Sequence, residues 1–91
     1  MTTFKNTKKI PASLMYDMLK NTFPGFLKEK LKYKDRLHYG LTADAISIQD
    51  PHGDELYLVT VTPEDITLNK LKDKNKSMDE QLETFIHACL F

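Results

Sequence analysis

Ninety-one residues, 41% of them apolar and nine of them aromatic, hold enough apolar material for one globular core and too little for two. Thirteen basic and thirteen acidic residues cancel to a net charge of zero, which removes any overall polyanion or polycation character. No apolar run approaches the ~20 residues that cross a membrane, the start Met1-Thr2-Thr3-Phe4-Lys5-Asn6 lacks the apolar core of a secretory leader, and the single Cys89 excludes an internal disulfide. These features point to the cytoplasm. The expected organisation is one small domain over 1–91, with residues 1–8, mostly polar, as a mobile tail.

Pro11 to Phe23 predicts the first helix, because Leu14, Met15, Met18, Leu19 and Phe23 fall at helical spacing. Pro11 suits the first turn, and Pro24-Gly25 reads as its stop. Phe26, Leu27 and Leu31 suggest a short second helical segment on the same core.

Residues 27–41 carry two conflicting periods. Leu27, Leu31, Tyr33, Leu37, Tyr39 and Leu41 alternate with Lys28, Lys30, Lys32, Lys34, Arg36 and His38, which is the period of a strand. Glu29 and Asp35 interrupt the apolar side, and Phe26-Leu27-Leu31 also fits a helix. The expectation is helix to about Leu31, then strand from about Arg36 to Thr42.

The next stretch is a hairpin. Ile46 and Ile48 share one face of a strand, and Asp50-Pro51-His52-Gly53 has turn chemistry at each position. In the following strand, Glu55 to Thr62, Leu56 and Leu58 face one way and Tyr57, Val59 and Val61 the other. A strand apolar on both faces is expected at the centre of a sheet or covered on both sides. Pro63 ends it. Thr62-Pro63-Glu64-Asp65 could start a helix, but the alternation of Ile66-Thr67-Leu68 favours a turn and one more short strand. Lys70 to Lys76 is a charged loop. The last helix opens on a capping box, Ser77 with Glu80, and its stripe is Met78, Leu82, Phe85, Ile86 and Cys89.

The fold class is therefore α+β. Helices pack on one face of a three- or four-stranded antiparallel sheet in the order α-(α)-β-β-β-α. That order resembles double-stranded-RNA-binding domains. Their last helix starts on a basic, Ala-rich run, whereas Ser77-Met78-Asp79-Glu80 stands at that place here. The likeness covers element order alone and assigns no family.

Few constellations could carry chemistry. His87 and Cys89 lie two apart on a helix, so their side chains diverge, and no set of about four zinc ligands can be assembled around them. His52, Asp50 and Asp54 share a turn and read as solvated polar groups. Three scattered glycines make no phosphate loop. No catalytic, metal or cofactor residue is assigned.

Two stretches are candidate binding surfaces. The first is the basic run Lys28, Lys30, Lys32, Lys34, Arg36 and His38. Fully extended, it would place six cationisable groups on one side at ~6.6 Å intervals, a site for nucleic acid or another polyanion. An edge strand guarded by lysine is the structural alternative. The charge is uneven along the chain: residues 1–37 carry nine Lys/Arg against three Asp/Glu, and residues 38–91 four against ten. Twelve of the thirteen basic residues are Lys, which argues against base-specific reading. The second candidate is a partner interface at the C-terminal end, Phe85, Leu90 and Phe91. The function expected is a small non-catalytic protein-interaction or regulatory module that meets a protein partner or a second copy of itself. Nucleic-acid or polyanion binding through residues 28–38 is the alternative.

Overall fold

The computed structural model describes residues 1–32, 36–72 and 76–90. In chain order the elements are β1 (Thr2–Lys5), α1 (Ala12–Asn21), α2 (Phe23–Leu31), β2 (His38–Thr42), β3 (Ala45–Gln49), β4 (Glu55–Val61), β5 (Asp65–Lys70) and α3 (Lys76–Cys89). The five strands form one antiparallel sheet in the order β1-β5-β4-β3-β2. The α+β class holds. The strand count rises from the expected three or four to five, and the order becomes β-α-α-β-β-β-β-α.

The fifth strand comes from the segment expected to be a tail. Thr2–Lys5 pairs with Asp65–Leu68, and Phe4 packs partly buried against the core. The Thr2 hydroxyl donates to Glu83 Oε1 of α3 at 2.8 Å. Asn6 then locks the chain. Its backbone N–H donates to the Glu64 carbonyl at 2.8 Å. Its side-chain amide donates to the carbonyls of Ile10 and Thr62, and its Oδ1 accepts from the Ile10 N–H. Asn6 is 2% exposed. A buried amide that meets three backbone groups satisfies both itself and the loop it crosses.

Pro24 opens a helix instead of closing one. Thr22 ends α1 and caps α2, and Pro24 lies in the first turn of α2, where a missing N–H leaves no hydrogen bond unmade. Phe23 and Leu27 of α2 and Met15 and Leu19 of α1 are buried. Leu14, placed by periodicity on the apolar stripe, is 46% exposed. Phe85 of α3 lies 5.2 Å from Phe23 and 5.7 Å from Phe26, ring centre to ring centre, which ties α2 to α3. Ser77, expected as the cap of the last helix, lies inside its first turn, since α3 begins at Lys76.

The helices cover one face of the sheet. Ile46 and Ile48 of β3, Tyr57, Val59 and Val61 of β4 and Ile66 and Leu68 of β5 are all buried there, on matched cross-strand positions. Each such side chain contributes about 1.5–3 kcal/mol relative to exposure. β4 is internal, as its two-faced pattern requires, but Leu58 and Thr60 on its other face are half-buried, not covered by a second layer. A bulge between Ile48 and Gln49 shifts the β3–β4 register. The turn beyond it is held by Asp50, whose Oδ1 accepts the N–H groups of His52 and Asp54 at 2.9 and 3.0 Å, with Gly53 at φ 91°. Thr62 closes the next turn onto Asp65 through both backbone and hydroxyl, which sends the chain back as β5 and not into a helix. The Tyr57 hydroxyl donates to Asp79 of α3, and Lys70 Nζ lies 3.2 Å from the other Asp79 oxygen. These contacts and the Thr2–Glu83 bond seat α3 over the β1 side of the sheet, while α1 lies over β2. Among the described residues no helix is long and apolar enough to cross a membrane.

Candidate functional site

The division of the helical layer leaves a hollow at the β2 side. α1 ends and α2 begins over the start of β2, and Lys20, Asn21, Pro24, Leu27, Arg36, Leu37, His38 and Tyr39 line a cleft of about 490 Å³ between them. Its base is apolar: Leu27 is 1% and Leu37 7% exposed. Its rim is polar and exposed, with Lys20, Arg36 and His38 supplying three cationisable groups and Asn21 an amide. Among the described residues no carboxylate lines it.

Local structure fixes the rim. Lys20 stands in the last turn of α1, where the helix dipole favours a cation. Its Nζ lies 5.7 Å from the centre of the Tyr16 ring one turn earlier, which steadies the ammonium by cation–π attraction. The Tyr16 hydroxyl in turn donates to the Tyr39 carbonyl at 3.4 Å, joining α1 to the outermost strand. Tyr39 is half-buried and packs against the core. A volume of this size, with an apolar base and a few convergent polar groups, is of the kind that holds a small ligand or a side chain of a partner.

The basic run of the sequence does not form one stripe. Lys28 and Lys30 are exposed on α2, and two residues on a helix are turned about 200° apart. Lys32 is exposed at the end of α2 in the left-handed region, φ 54°. Lys34 lies outside the described residues. Arg36 and His38 reach the cleft. Lys20 joins them from a distant part of the sequence, and sequence reasoning missed it. It sits on the polar flank of an amphipathic helix, and nothing in its neighbours marks it.

Two of the three residues of the candidate interface at the C-terminal end pack within the chain's own core. Phe85 is 5% and Leu90 8% exposed, both within the core, and Phe91 lies outside the described residues. Cys89 is partly exposed, and burial pushes its thiol pKa up, with Lys8 pulling the other way. His87 is exposed in the last turn of α3, and His52 is exposed on its turn. Among the described residues no three His, Cys, Asp or Glu side chains are grouped to hold a metal ion. Comparison with known proteins finds no family model, no curated protein and no solved structure that matches this chain.

Proposed function

We propose that this chain is a small non-catalytic protein-interaction module, and that its contact site is the cleft at β2, with an acidic segment of a partner protein as the ligand. The observation that carries the proposal is the convergence of Lys20, Arg36 and His38 on one hollow whose described lining holds no carboxylate. Two cations, Lys20 and Arg36, with the His38 ring and an amide above an apolar base hold negative charge, and the base gives the contact an apolar component as well. Exposed Lys28 and Lys32 extend the positive field along α2. The cytoplasmic setting is part of the same proposal and rests on the lone cysteine.

Polyanion binding in the wider sense is the second proposal, favoured by the lysines exposed on α2. Anisotropy titrations with labelled poly-L-glutamate and with a mixed RNA/DNA pool separate the two. The expected result is binding of polyglutamate that weakens with salt and is lost in the double variant Lys20→Glu, Arg36→Glu. Binding of the nucleic-acid pool alone would replace the first proposal with the second. Unchanged polyglutamate binding by the double variant would remove the cleft from both.

A further inference from the structure

Resting on the proposal that the cleft takes an acidic partner, we infer that the partner binds as an extended strand added to the outer edge of β2, its acidic residues running along the cleft. The sheet order makes β2 the outermost strand. The direction of its backbone groups follows from its neighbours. The Val61 N–H donates to the Asp44 carbonyl at 2.8 Å, which makes Ala45 and Thr60 a non-hydrogen-bonded pair. Ala45 therefore turns its N–H and C=O toward Thr42, its partner in β2. Alternation along β2 then turns Gly40 and His38 toward β3, and Leu41 outward. The outward carbonyl of Tyr39, which accepts from Tyr16 on the side away from β3, agrees with this.

The two edges of the sheet differ. β1 is four residues long and carries Lys5. β2, His-Tyr-Gly-Leu-Thr, has no lysine, proline or bulge, and its outward groups at Leu41 lie beyond Tyr39, whose carbonyl already accepts from Tyr16. Leu41 is 37% exposed on the helix side of this edge. Charge selects the occupant: Lys20 and Arg36 line the cleft at the start of β2, and acidic residues of an added strand come level with them there.

The register follows. A partner residue paired with Leu41 closes a two-bond ring with its N–H and C=O. In an antiparallel strand the residues two to four positions further on come level with Tyr39, His38 and Leu37, ~7–14 Å along the strand and beside the cleft. The preferred segment therefore has an apolar residue opposite Leu41, followed by acids at the second to fourth positions after it.

The probe is the capped peptide acetyl-Ser-Thr-Val-Thr-Glu-Glu-Glu-Ser-amide, with a version N-methylated at the valine and a version with Lys for Glu. The parent peptide is expected to bind, the N-methylated one at least tenfold more weakly, a difference of about 1.4 kcal/mol, and the lysine version not at all. On the protein side, Leu41→Pro removes an outward N–H and no ladder bond, and it should weaken the parent peptide by a similar factor while leaving polyglutamate binding in place. Equal binding of parent and methylated peptides overturns strand addition, and the cleft stands if polyglutamate still binds. Loss of all binding in Lys20→Glu, Arg36→Glu with normal discrimination in wild type supports both proposals together. A light-scattering mass of twice the monomer that falls to the monomer in Leu41→Pro would assign the edge to a second copy and overturn the acidic partner. If Leu41→Pro does not fold, the methylated peptide decides.

Discussion

Replacing Asn6 with alanine removes one small side chain and strands three backbone groups. The Ile10 carbonyl and the Thr62 carbonyl each lose a donor, at 3.0 and 2.8 Å, and the Ile10 N–H loses its acceptor at 2.9 Å. Ile10 is 7% exposed, so its two groups are left where water reaches poorly. Thr62 is half-buried and regains part of its loss from solvent. A buried group left unpaired costs about 1–3 kcal/mol and an exchanged bond about 0.5–1.5 kcal/mol, so the whole change should cost at least about 2 kcal/mol. That is a large part of the roughly 5–15 kcal/mol that holds a domain of this size. At about 4–8 °C per kcal/mol, the thermal midpoint should fall by at least 8 °C. Urea denaturation with fixed m-value gives the free energy directly. Amide exchange should also show β1 and the Ile10 loop opening first. A loss under 0.5 kcal/mol would refute the reasoning, since it would mean that water replaces Asn6 without cost.

Four further outcomes are expected. Phe85→Ala removes the ring that meets Phe23 and Phe26 and should cost about 3–5 kcal/mol by chemical denaturation; a loss below 1 kcal/mol would put the ring outside the core. Gly53→Ala should cost about 1 kcal/mol despite open space around the new methyl, because φ 91° is strained for any side chain; a neutral result would show that the turn relaxes. Lys32→Gly should raise stability by about 0.4–1 kcal/mol, since glycine takes the left-handed cap of α2 without strain; no gain would contradict the assigned cap. Cys89 should react with iodoacetamide at pH 8 several-fold more slowly than free cysteine, because burial raises its thiol pKa and so lowers the thiolate fraction; a rate equal to or above that of free cysteine would contradict the burial.

Much of the sheet and helix layer was legible in the residues. Period two at Ile46 and Ile48, turn chemistry at Asp50 to Gly53 and the double-faced β4 are local signals, and the local answer agrees with the tertiary one. The end of helix near Leu31 and the strand at Ile66-Thr67-Leu68 were read from competing periods, and both fall where the structure has α2 and β5. What escaped depends on distant partners. Thr2–Lys5 has one large apolar side chain in four residues, and its pairing with Asp65–Leu68 is written only in the register of two remote segments. Pro24-Gly25 can end one helix or begin the next, and the burial of Phe23 and Leu27 in the core, Phe23 against Phe85 of α3, decides for the latter. The basic run looked like a stripe because alternation along the sequence was carried through a helix, where it scatters around the axis. The cleft joins Lys20 to Arg36 and His38 across a helix–helix junction, a juxtaposition that no linear spacing encodes.

The most direct measurement is a map of amide shifts in the labelled protein on adding poly-L-glutamate. The account predicts shifts clustered at residues 20–21, 27 and 36–41, saturating together and reversed by salt. Shifts confined to the open face of the sheet around Leu58 and Thr60, or spread evenly over all lysines, would contradict it.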